Sequence, residues 1–206
     1  MKELIQLPAE FDYNLLMYVL RDYQKPRDKI RNLVQNQDII RVKKGIYVLG
    51  PGYNKPYNKY VLANMMYGPS YVTAQTALSY WGLIPERVEL IISMTFKRKK
   101  FFATPVGDFS YLYCRKRAYG IGVRLEEAGD GKRIFMAAPE KALCDLFASQ
   151  THHLQSQEDV RESLGLMRLD ETFFEGCNHS LLEEISANYG KPGVSQLTAF
   201  LKDRHV

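Results

Sequence analysis

The sequence predicts an α+β protein: an N-terminal winged helix-turn-helix followed by a mixed domain with an antiparallel sheet and C-terminal helices. Three observations predict it. An amphipathic segment bearing cations at 26–36 runs straight into two β-branched stretches, five short β-rich segments separated by turn residues fill 88–137, and helical periodicity returns at Pro139. With 206 residues and 46% apolar content the chain has material for one or two cores of ordinary size. Gly50-Pro51-Gly52-Tyr53-Asn54-Lys55-Pro56 is the expected connector, dividing a unit at 1–50 from a second at 57–206.

In the first unit, Phe11, Leu15, Leu16, Val19 and Leu20 recur at near-helical spacing, so a support helix is expected over 10–21 with Asp12 near its start. Residues 22–25 are a short turn. Pro26 suits the first helical position, where its missing N–H costs nothing, and Ile30, Leu33 and Val34 fall on one side of the helix that follows. Asp28, Asn32 and Gln35 fall opposite. Two β-branched runs, 39–42 and 46–49, are joined by Lys43-Lys44-Gly45, where Gly45 can supply the positive φ of a tight hairpin turn. Fewer helices precede the second helix than in many winged domains.

The second unit opens with a helix at 58–66, broken by Gly68-Pro69, and another from about Tyr71, capped by Ser70 or Thr73 and ending at Gly82. Trp81 reads as packing material. Strands are expected at 88–95, 101–104, 108–113, 120–126 and 132–137, most economically as an antiparallel sheet. A helix at 139–148 and others at 157–167, 180–189 and 194–203 complete the chain.

Charge is unevenly spread. Residues 1–60 carry 11 Lys/Arg against 6 Asp/Glu, and 61–120 carry 8 against 3, whereas 151–206 carry 5 against 9. A cationic front half fits a polyanionic partner. Lys25, Arg27, Lys29, Lys43 and Lys44, with Arg41 on the hairpin, form a frame suited to phosphates. Arg31 has the geometry to read guanine, and Asn32 and Gln35 to read adenine, with Asp28 and Asn36 on the same exposed stretch. An ordinary solvated helix and hairpin is the competing reading. Lys97, Arg98, Lys99 and Lys100, with Arg115, Lys116 and Arg117 nearby in sequence, are either a second surface for DNA or a partner, or a solvated hairpin tip.

Catalytic signals are weak. Glu140, Lys141 and Asp145 have the residue types of a metal-dependent nuclease, but Glu140 and Asp145 are five apart on one predicted helix and point in different directions. His152-His153 reads as a solvated loop, and Cys114, Cys144 and Cys177 have no CxxC spacing, so reduced, partly buried thiols are expected. No Walker loop, GxGxxG or GxSxG occurs. No metal, cofactor or enzymatic activity is therefore expected. No apolar run reaches the roughly 18 to 20 residues that span a bilayer, nor does 1–10 look like a leader, which favours a cytoplasmic protein.

The ordered set DKIRNLVQNQDIIRVKKGIYVL, GPSYVTAQTALSYWGLIPERVELIISMT, FFATPVGDFSYLY and AAPEKALCDLF resembles the AbiEi-like antitoxin family of type IV toxin-antitoxin systems over about residues 11–148. That resemblance implies a winged-helix domain that binds the operator of its own operon and a second domain that counteracts a nucleotidyltransferase-like AbiEii toxin. The DNA-reading role would map onto 27–36 and the wing, 41–44, and toxin neutralisation onto the region from about Tyr57. Double-stranded DNA, such a toxin and a second copy of the chain are the partners this reading anticipates; a protein-interaction module without operator binding is the alternative, and a metal-dependent nuclease with Glu126, Glu140 or Asp145 around one ion is the third reading.

Overall fold

A computed structural model describes residues 2–149 and 156–203. Its N-terminal part follows the order α1 (Lys2–Ile5), β1 (Glu10–Asp12), α2 (Tyr13–Val19), α3 (Pro26–Gln35), β2 (Ile39–Lys43) and β3 (Ile46–Leu49). The expected helix at 10–21 is thus shorter, because Glu10–Asp12 is drawn into a strand beside β3. Asp12 instead caps α2, its carboxylate accepting the Leu15 N–H at 2.8 Å. The three strands form an antiparallel sheet in the order β1-β3-β2.

Strand alternation gives this sheet two occupied faces. Phe11, Ile39, Tyr47 and Leu49 pack with Leu16, Leu20, Ile30 and Leu33 from α2 and α3, Phe11 and Tyr47 being stacked at 6.0 Å. Val42 and Val48, with Ile40 and Ile46 beside them, join the other, larger core. The hairpin is therefore clamped on both sides. Gly45 at its turn has φ 87°, as expected of that position.

After a 3₁₀ turn at Pro51–Tyr53 come α4 (Lys59–Met66), β4 (Tyr71–Val72), α5 (Ala74–Tyr80), β5 (Ile91–Thr95), β6 (Lys100–Thr104), β7 (Gly107–Tyr113), α6 (Lys116–Tyr119), β8 (Val123–Glu127) and β9 (Arg133–Ala137). Tyr71 lies in a strand, and the helix expected from it begins three residues later. The sheet order is β6-β7-β5-β4-β9-β8. Its β6–β7, β5–β4 and β9–β8 pairings are antiparallel, while β5–β7 and β4–β9 are parallel. The β5–β7 contact is parallel because the chain leaves β5, skips a position to form β6 at the edge and turns back into β7; β4–β9 is parallel because β9 returns from β8 at the opposite edge. Ahead of the two-residue β4, the Asn64 amide pairs with β9, accepting the Phe135 N–H at 2.6 Å and donating to the Phe135 carbonyl at 3.5 Å. Trp81, half-buried, donates from its indole to the Ala137 carbonyl at 2.9 Å, which fits its expected packing role.

The last helices are α7 (Pro139–Ser149), α8 (Gln157–Leu166), α9 (Thr172–Gly176), α10 (His179–Tyr189) and α11 (Pro192–Asp203). Every residue from Glu140 to Ala148 in α7 is buried, so this helix is the axis around which α5, α10 and α11 pack. Among the described residues no helix is long and apolar enough to cross a membrane. The reading of His152-His153 lies outside the described residues.

Candidate nucleic-acid interface

Helix α3 is anchored by Ile30 and Leu33, which are buried in the N-terminal core. Three and four residues apart on the opposite side, Arg27, Asp28, Arg31, Asn32, Gln35 and Asn36 are exposed, as is Lys25 just ahead of the helix. No described residue of the second unit covers Asn32 or Gln35. Arg31 reaches Asp28 at 3.8 Å, with both side chains more than half exposed, so water screens that pair and leaves Arg31 able to exchange it for another acceptor. Lys29 is partly sequestered, its ammonium 5.3 Å above the Tyr23 ring.

On the hairpin the expected cations divide. Arg41 and Lys44 are exposed, and register places Arg41 opposite Tyr47, on the sheet face shared with α3. Lys43 turns the other way: its ammonium donates to the Met66 carbonyl and lies 4.7 Å from the Phe102 ring. Burial, and secondarily the nearby Lys100, lower its pKa. The phosphate contact expected of Lys43 thus has to be corrected, because the second unit already holds the group.

A similar division explains the other basic clusters. The run 97–100 is no hairpin tip, since β7 lies between β5 and β6 and the connection passes over the strand between them. Lys97 donates to the Gly68 carbonyl at 2.5 Å, just beyond the C-terminus of α4, the same helix end that Lys43 serves. Arg117 donates to Asn188 O at 2.7 Å and Arg115 to Tyr189 O at 3.4 Å, both at the C-terminus of α10. Lys191 does likewise for α7, at 2.6 Å from Ala148 O. Unsatisfied carbonyls and the negative end of the helix dipole meet at each of these points, which is where cations belong. Lys191 has its pKa lowered by burial and then by Arg115 and Lys99, of which Arg115, like Lys191, is held at a helix end. All seven residues of the two runs, Lys97 to Lys100 and Arg115 to Arg117, remain exposed; the ammonium of Lys100 lies 5.5 Å from the Tyr67 ring.

The nuclease-like trio is closed to solvent. Lys141 and Asp145 pair with each other, and Asp145 also accepts the hydroxyls of Tyr71 at 2.8 Å, Thr73 at 2.7 Å and Tyr189. Lys141 donates in turn to Ala118 O at 2.8 Å. Glu140 accepts the Asn178 N–H at 2.9 Å and faces away from that network. No group of three His, Cys, Asp or Glu among the described residues could hold a metal ion. Sequence reading missed this network, although a Lys and an Asp four apart on an otherwise apolar helix were the signal for it. It also missed Glu10, whose buried carboxylate pairs with Lys132 and accepts the Asn58 N–H, bolting the N-terminal sheet to the second unit.

No family model matches this chain, and no curated protein matches it. Among solved structures it is similar to the crystal structure of the Rv2827c protein from Mycobacterium tuberculosis, with a TM-score of 0.54 and 16% identity, over 100% of this chain and 80% of that one. The likeness is one of fold. It extends through both units.

Proposed function

We propose that this chain is a non-enzymatic, cytoplasmic DNA-binding regulator of its own operon, and an antitoxin against a nucleotidyltransferase-like toxin of the type IV class. One observation carries the DNA reading: the polar face of α3, with Arg27, Arg31, Asn32 and Gln35, is exposed and not used for packing, while its apolar face and the following hairpin are fixed. The order of helix, strand, two helices and hairpin fits a winged helix-turn-helix, in which α3 would be the recognition helix. Exposure of Asn32 and Gln35 also weighs against the alternative of a module that docks α3 onto its own second unit.

In this mechanism Lys25, Arg27, Arg41 and Lys44 contact phosphates and fix register, and Arg31, Asn32 and Gln35 reach base edges in the major groove. Affinity then falls with salt, through counterion release, while preference for the operator persists. The antitoxin role rests on the family resemblance and falls to the second unit.

A titration of the protein into a labelled fragment of its own promoter, with random DNA as competitor at two salt concentrations, tests the DNA reading. Preference retained at the higher salt supports it; equal loss on both DNAs overturns it. Co-expression with a neighbouring nucleotidyltransferase-like gene tests the antitoxin role, with restored growth as the expected result.

A further inference from the structure

Strand β8 closes one side of the larger sheet and has no strand beyond it among the described residues. A free edge of this kind presents unpaired N–H and C=O groups, and proteins ordinarily blunt it with proline, a bulge, charged side chains or a covering segment. β8 has no proline and no bulge, its register with β9 running unbroken from Val123 to Glu127, and its protection rests on Arg124, Glu126 and Glu127. Leu125 lies directly opposite Phe135, and the two are 51% and 52% exposed, an apolar pair left open at the rim of the sheet.

The charges on the strand have a further property. An antiparallel pair of identical strands is related by a twofold axis perpendicular to the sheet, which keeps each side chain on its own face and so allows only registers centred on a residue. Centred on Leu125, the sequence Val123-Arg124-Leu125-Glu126-Glu127 sets Arg124 of each copy opposite Glu126 of the other, and Leu125 opposite itself. Moving the centre to Arg124 or Glu126 sets like charges face to face, which is destabilising. Neither residue is in an ion pair among the described residues; Arg124 lies 5.8 Å from the Trp81 ring.

We infer that β8 is a docking edge for a second copy of this chain, the two copies joining antiparallel about Leu125 with two reciprocal Arg124–Glu126 pairs and the Leu125 and Phe135 side chains packed across the axis. The sheet becomes continuous through both molecules. So short a seam is a weak contact whose occupancy rises with concentration.

Sedimentation velocity on the full-length protein without DNA tests this, over a concentration series and with circular dichroism confirming the fold of each variant. Arg124→Glu and Glu126→Arg each create two like-charge contacts and are expected to weaken the dimer about tenfold or more, while the double variant reverses both signs and restores it. A wild-type protein that stays monomeric throughout, single variants that associate like wild type, or a double variant that stays as weak as the singles overturns the inference. Because no DNA is present, none of these outcomes bears on operator binding.

Discussion

Lys141 and Asp145, one turn apart on α7, form an ion pair of 3.1 Å in which neither side chain has any exposure to solvent. Tyr71, Thr73 and Tyr189 saturate the carboxylate and Ala118 holds the ammonium, so strand β4 and helices α6, α7 and α10 meet at a single charged point. Desolvating two ions is costly, and only complete pairing offsets it.

Breaking that pair from one side is therefore the most damaging small change available. Asp145→Asn or Lys141→Met is expected to cost about 3–5 kcal/mol, because each leaves an uncompensated buried charge. The double variant should cost less than the sum of the two. Urea unfolding of the three proteins checks it, and additive losses would show that the residues act independently.

The same network gives the protein an alkaline limit. Burial, and then the Asp145 charge, hold the hydroxyls of Tyr71 and Tyr189 well above their ordinary titration range. A pKa raised in the folded state means that stability is fully present below the unfolded value, about 10 for tyrosine, and is lost as pH rises beyond it. Urea midpoints should thus be insensitive to these groups near neutrality and fall above about pH 10. Tyr189→Phe, although less stable at neutral pH, should show a shallower alkaline fall.

On the operator, Asn32→Ala and Gln35→Ala should each cost roughly 1–3 kcal/mol and almost nothing on random DNA, whereas Lys44→Ala should weaken both and reduce the salt slope by about one. Lys43→Ala should behave differently from its neighbour. Its ammonium is spent on Met66 O, so the expected effect is a lower thermal midpoint with an unchanged salt slope. Competition binding and melting curves on the same four variants separate the roles.

Arg117 gives the parallel test in the second unit. Arg117→Ala removes a charged hydrogen bond to the end of α10 and should cost roughly 1 kcal/mol of stability, leaving DNA affinity unaltered. A drop in affinity without a drop in stability would return this residue to a ligand-binding surface.

Gly50 is where the N-terminal unit is most tightly closed. A Cβ there would lie 1.8 Å from the Gln37 carbonyl oxygen, a contact that backbone atoms cannot relieve without moving. Gly50→Ala should lower the melting temperature by several degrees, roughly what 1–2 kcal/mol does in a chain of this size. A midpoint equal to wild type would mean that the end of the hairpin yields freely.

By itself the sequence determined what local patterns can encode. Pro26 and the spacing of Ile30 and Leu33 defined α3 to within a residue, Gly45 defined the hairpin turn, and the apolar stripe from Ala142 to Phe147 defined α7. The exposed face of α3 was legible too, since helical period alone separates Asn32 and Gln35 from the buried side.

Tertiary structure decided what depends on neighbours distant in the chain. Residues 10–12 became a strand because β3 offered an edge, although their own spacing favoured helix. Cations that look alike in sequence parted company for the same reason. Lys43, Lys97, Arg115 and Arg117 are held at the ends of helices that fold up against them, while Lys44 and Lys25 stay free. A charge carries no mark of its partner. Whether it faces water, a carbonyl or a buried carboxylate is fixed only when the long-range contacts have formed.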